Sequence, residues 1–156
     1  MAKRSSGNKR TAAGTALTEL IFMIFRANGR LLRAGDHLGR DLGLTAARWQ
    51  VMGAIDRGDK TVAQIAREFE LSRQGVLWVV NALNKEGIVE LAHNPDHRRA
   101  KLVRFTKRGR EVCDEMNARQ IAWINEVGDH FDATAIESAV QIISQVTLRT
   151  VNESED

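Results

Sequence analysis

The sequence predicts a mainly α-helical fold carrying one small β-hairpin, and three observations lead there. Apolar residues recur at three- and four-residue spacing over most of the 156 residues. Two short helical segments, 61–69 and 72–84, follow each other with almost no loop between them. After them comes a hairpin pattern whose connection holds the run Asn94-Pro95-Asp96-His97-Arg98-Arg99-Ala100-Lys101.

The first helix is expected from Thr15 to Leu38, where Leu17, Leu20, Ile21, Ile24, Phe25, Leu31 and Leu32 keep to one stripe. Trp49 and Met52 fit the buried face of a second helix. Thr61 stands three residues before Gln64, a capping-box pattern, and Val62, Ile65, Ala66 and Phe69 continue it at helical spacing. Glu70 and Leu71 leave little room before Ser72, a good N-cap, so the chain must turn sharply into the next helix. In that helix Val76, Val79, Val80 and Leu83 form the buried face. Gly87 is the expected C-cap, Ile88 to Leu91 the first strand and Lys101 to Phe105 the second. A long helix begins near Thr106 with Val112, Met116, Trp123 and Val127, and Asp132 caps a last one bearing Ile136, Val140, Ile143 and Thr147.

Helix, tight turn, helix and basic hairpin together form a winged helix-turn-helix, an arrangement suited to gripping DNA. Arg73 and Gln74 occupy the first turn of the second helix, the end that faces base edges in such readers; Arg pairs bidentately with guanine and Gln with adenine. Between His93 and Arg110 seven Lys or Arg stand against one Asp, a density that suits phosphate contact or insertion of an arginine into a minor groove. The exception, Asp96, is expected to pair with Arg98 or Arg99 and hold the hairpin tip, or to be an ordinary turn aspartate after Pro95. The expected DNA-facing set is Thr61, Ser72, Arg73, Gln74, Gly75, Leu77, Trp78 and Asn81 on the helices, with Arg98, Arg99 and Lys101 on the wing.

On three motifs the chain resembles the MarR family of bacterial transcription regulators, named for multiple antibiotic resistance. They are Leu44-Thr45-Ala46-Ala47-Arg48-Trp49-Gln50-Val51, Leu71-Ser72-Arg73-Gln74-Gly75-Val76, and the wing run from Asp96 through Lys101-Leu102-Val103-Arg104-Phe105-Thr106 to Gly109. The resemblance extends from about Leu17 to Leu148. Trp78 departs from it, standing where many relatives place a polar or basic residue. An indole there either packs on sugar or a thymine methyl or is a partly buried core residue, and burial is the commoner state of tryptophan.

The resemblance implies an obligate homodimer on a pseudo-palindromic operator, with repression as the default outcome. It also implies a pocket for a small aromatic acid or phenolic effector, matched here by Asp36, His37, Arg48, Trp49 and Met52. Arg48 is the candidate to hold a carboxylate, although all five residues have equally good structural readings. The expected division is a disordered basic arm at 1–14, dimerisation helices at 15–40 with 112–150, the winged module at 41–111 and an acidic tail at 151–156.

Composition narrows the alternatives. Hydrophobic residues make up 43% of the chain and charged ones 28%, yet the formal charge is only +3, so basic charge is local rather than spread. No apolar run approaches the ~20 residues of a membrane span, and no signal-peptide core follows the basic N-terminus, so a cytoplasmic protein is expected. The single cysteine, Cys113, reads as a buried apolar thiol, with redox sensing as its alternative. Four separated histidines, no base beside Cys113 and no glycine-rich phosphate loop leave no catalytic motif, and no cofactor is expected. A metal sensor using His37 with His130 lacks a repeated ligand pattern. The stronger rival is a winged-helix module for protein association, which would have no need for base-reading and phosphate-holding groups on one side.

Overall fold

The computed structural model describes residues 9–97 and 99–151. In chain order it has α1 (Ala12–Gly39), a single 3-10 turn (Arg40–Leu42), α2 (Ala46–Asp56), β1 (Lys60–Thr61), α3 (Val62–Glu68), α4 (Arg73–Lys85), β2 (Val89–Ala92), β3 (Leu102–Phe105), α5 (Lys107–Gly128) and α6 (Ala133–Val151). Two compact units result, one reaching Cys113 and the other beginning at Asp114.

In the first unit α1 packs on α2 through small residues. A Cβ on Gly35 would sit 3.1 Å from the Ala46 Cβ, and one on Gly39 only 2.8 Å from the Leu44 side chain. The carboxylate of Asp36 accepts from the Ala46 backbone N–H at 2.7 Å and so satisfies a donor at the start of α2. Behind these, Met52, Ile55, Ile65, Val80, Leu83 and Val103 are fully buried and form the centre of the core.

The capping box at α3 is complete: the Gln64 N–H donates to Thr61 Oγ1 at 3.2 Å and the Thr61 N–H to Gln64 Oε1 at 2.8 Å. The turn into α4 is closed by the Leu71 N–H donating to the Ala66 carbonyl at 2.8 Å. Glu70 takes a left-handed φ of 51° to make that reversal. Ser72 then accepts from the Gly75 N–H at 3.0 Å. Ser72→Ala is therefore expected to lower stability by about 1 kcal/mol, read as a shifted urea midpoint with an unchanged slope. No shift in the midpoint would mean water replaces the cap at no cost.

The wing differs from expectation by one strand. It is a three-stranded antiparallel sheet in the order β1-β3-β2, with Thr61 opposite Leu102 and Glu90 opposite Arg104. β1 has only two residues, too few for a period of two to show in a sequence. The two expected strands each begin one residue later than read, and α1 begins at Ala12 rather than Thr15, with Thr11 as its cap.

In the second unit, Asp132 caps α6 by accepting from the Ala135 N–H at 2.9 Å, as its position suggested. Large apolar side chains stay uncovered in both units: Phe22, Phe25 (67% exposed) and Leu31 on α1, and Ile121, Val140 and Leu148 (70%) on α5 and α6. Among the described residues no helix is long and apolar enough to cross a membrane. Cys113 is buried, as expected.

Candidate nucleic-acid interface

Helix α4 presents two unlike sides. Val76, Val79, Val80 and Leu83 are buried, while Arg73, Gln74, Leu77, Trp78 and Asn81 are exposed. The helix contains no Asp or Glu, so nothing on it repels a polyanion, and its N-terminal dipole adds partial positive charge beside Arg73 and Gln74.

Between α4 and the wing runs a groove of about 620 Å³. Its floor is apolar, from Val62, Ala63, Leu77, Leu91 and Ala100, and its rim carries Arg73, Gln74, Arg99 and Lys101. The fold thus brings Thr61, Arg73, Gln74, Leu77, Arg99 and Lys101 to one concavity. Gly75, Trp78 and Asn81 lie on the exposed surface of the same helix, and Ser72 has its hydroxyl committed to the cap. Arg98 lies outside the described residues, as do residues 1–8 of the expected basic arm and 152–156 of the acidic tail.

The cations of the basic run divide sharply. Arg104 pairs with Glu90 across the sheet at 2.6 Å. Arg110 pairs with Asp56 and stacks 4.5 Å from the centre of the Phe105 ring. Arg108 donates to the Glu86 carbonyl at 3.1 Å. Arg73, Arg99 and Lys101, in contrast, are exposed and have no acidic partner among the described residues. The density of seven cations therefore overstates the number free for phosphates, because three of them fasten the wing and the start of α5 to the module.

One expectation about a single residue needs correction, and a second is narrowed. Trp78 is not a partly buried core residue: it is 74% exposed, on the outer side of α4. Asp96 makes no ion pair with Arg99 among the described residues, while its pairing with Arg98 lies outside them; it sits in a turn that the buried Asn94 closes, its Oδ1 accepting the Asp96 backbone N–H at 3.0 Å. A short polar side chain that closes a turn onto its own backbone is the signal that could have identified Asn94.

Four of the five residues matched to an effector pocket are engaged structurally, His37 being the exception. Asp36 binds the start of α2, Met52 is 0% exposed, and the Trp49 ring lies against Gly35. His37 is exposed. Arg48 donates to both oxygens of Glu86, at 2.6 and 2.9 Å, and to the Gly43 carbonyl at 2.8 Å. Its fork already holds a carboxylate, and the pair ties α2 to the C-terminal end of α4. No group of three or more potential metal ligands occurs among the described residues.

Residues 42–100, which contain the helix-turn-helix and most of the wing, match the model of the MarR family. An uncharacterized protein of Mycobacterium tuberculosis is 36% identical over 122 residues, covering 78% of this chain and 85% of that protein. The transcriptional activatory protein BadR of Rhodopseudomonas palustris is 26% identical over 153 residues, 94% of this chain and 87% of its own. Among solved structures, CouR from Rhodococcus jostii bound to p-coumaroyl-CoA superposes with a TM-score of 0.74 at 21% identity, covering 81% of this chain and 90% of that one. At that identity the likeness shows the fold.

Proposed function

The chain belongs to the MarR family of transcription regulators, and we propose that it acts as a homodimer on a pseudo-palindromic operator, reading bases with Arg73 and Gln74 and holding phosphates with Arg99 and Lys101. The observation that carries this is the groove in which the base-reading helix start and the unpaired wing cations share one surface. Paired cations contribute little to counterion release, whereas these remain available for it.

The dimer is supported by the uncovered large apolar side chains of α1, α5 and α6, which a partner copy would cover. Two-fold symmetry would then place two recognition helices about 34–36 Å apart, in successive major grooves. Repression follows if that footprint overlaps a promoter; the name of BadR supports activation as a second reading, and the position of the operator separates them.

Release by a small aromatic acid is the proposed control; CouR, which shares the fold, is bound to an aromatic acyl thioester, p-coumaroyl-CoA. Arg48 is the natural point of action. A ligand carboxylate that displaced Glu86 would loosen the tie between α2 and the end of α4, and a few kcal/mol of preference for the loosened state would shift the population substantially.

Capture of sheared source-genome DNA on the purified chain at about 150 mM salt tests the reading, since non-specific binding is weak there. Enrichment of a palindrome is the expected result. With folded, dimeric protein and no enriched sequence, the protein-association module becomes the better account. Titrating aromatic acids into the captured complex tests the effector: unchanged DNA affinity at millimolar acid removes it.

A further inference from the structure

The tryptophan at the centre of the exposed side of α4 is unexplained by phosphate binding, because an indole carries no charge. It is also unexplained by packing, since Trp78 is 74% and Leu77 45% exposed within a helix whose other large apolar side chains are buried. An exposed apolar pair on a surface otherwise made of Arg, Gln and Asn calls for an apolar partner.

Helical geometry says what that partner is next to. Gln74 lies four residues before Trp78 and Asn81 three residues after it, so all three share one face, with Leu77 one turn after Arg73 and one turn before Asn81. Gln and Asn are the residues that pair bidentately with the N6 and N7 of adenine in the major groove. The thymine opposite each adenine presents, in the same groove, the one apolar group on any base edge, its 5-methyl. Trp78 and Leu77 thus lie beside the two amides on α4, and an A·T pair read by either amide offers a methyl in the same groove.

We propose that Trp78, supported by Leu77, reads the 5-methyl group of thymine, which makes the half-site A·T-rich under this helix. The inference rests on the duplex-reading function proposed above. Burying one methyl contributes about a fourfold change in affinity, and packing of the ring against the sugar would contribute the same for every sequence.

Deoxyuridine removes the methyl and leaves every hydrogen-bonding group of thymine in place. The full chain is first used to select an operator from random duplex DNA, and affinity is then measured by fluorescence anisotropy on operators with uracil at each thymine in turn. One or two positions per half-site are expected to lose about fourfold with the native protein and nothing with Trp78→Ala. Trp78→Phe, which keeps an aromatic ring, retains part of the discrimination. Because Trp78 is exposed, the variants keep the fold, and circular dichroism checks this. Uracil operators that bind the native protein as well as thymine operators overturn the methyl reading alone. So does an equal loss with Trp78→Ala, since the methyl then acts through the DNA. Failure to select any sequence overturns the duplex-reading function itself, a separate result.

Discussion

Gly109→Ala is expected to unfold the winged module. Thr106 caps α5, accepting the Gly109 N–H on its Oγ1 at 3.0 Å, and this brings the first turn of the helix directly over the Gly87-Ile88 backbone. A Cβ on Gly109 would lie 1.8 Å from the Ile88 carbonyl oxygen and 2.8 Å from its carbon. That carbonyl cannot step aside. It accepts the Thr106 N–H at 3.1 Å and the Thr106 hydroxyl at 3.2 Å, while the same hydroxyl donates to the Gly87 carbonyl at 2.6 Å. Moving Ile88 away would break the corner at which α4, β2 and α5 meet, and Gly87 already holds the left-handed φ of 71° that the corner needs.

A clash of that depth against backbone costs on the order of 4 kcal/mol or more, a large share of the roughly 5–15 kcal/mol that stabilises a domain. Gly53→Ala provides the contrast. It sits inside α2 with no heavy atom within 4 Å of its would-be Cβ, so it should gain up to about 1 kcal/mol from helix propensity. Urea denaturation of the two variants side by side should move their midpoints in opposite directions. A Gly109→Ala midpoint equal to the native one would show that α5 does not cross Ile88 so closely.

Much of this fold was legible because its signals are local. Thr61 with Gln64, Ser72 at an N-cap, Gly87 after α4 and Asp132 before α6 each announce a helix end by satisfying backbone donors or adopting a backbone angle close at hand. What escaped was set by distance along the chain. Arg48 meets Glu86 across 38 residues and Arg110 meets Asp56 across 54, and no spacing rule predicts such pairs. Charge density could therefore locate the wing without separating its structural arginines from its available ones. Trp78 was misjudged for a related reason: a general preference for burial was weighed above its place on α4, although its neighbours Val76, Val79 and Val80 already filled the buried side.

The available cations should show themselves in salt dependence. Replacing both Arg99 and Lys101 by Ala removes two exposed charges from the rim of the groove on each protomer and breaks no side-chain ion pair or hydrogen bond among the described residues. If each neutralises one phosphate in each half-site, the homodimer gives up four such contacts and the slope of log affinity against log salt should fall by about 3.6, with binding weakened by a similar factor on every sequence. Gln74→Ala should do the reverse, leaving the slope nearly intact while costing about 1–3 kcal/mol of preference at one base pair. The comparison is sharper than either loss alone, because a nonspecifically damaged protein would lose both properties together. Affinity measured for operator and random duplex across a salt series gives all four numbers. A double variant that keeps the native slope would move the phosphate contacts elsewhere on the module. A Gln74→Ala protein that weakens operator and random DNA alike would take base reading away from the start of α4.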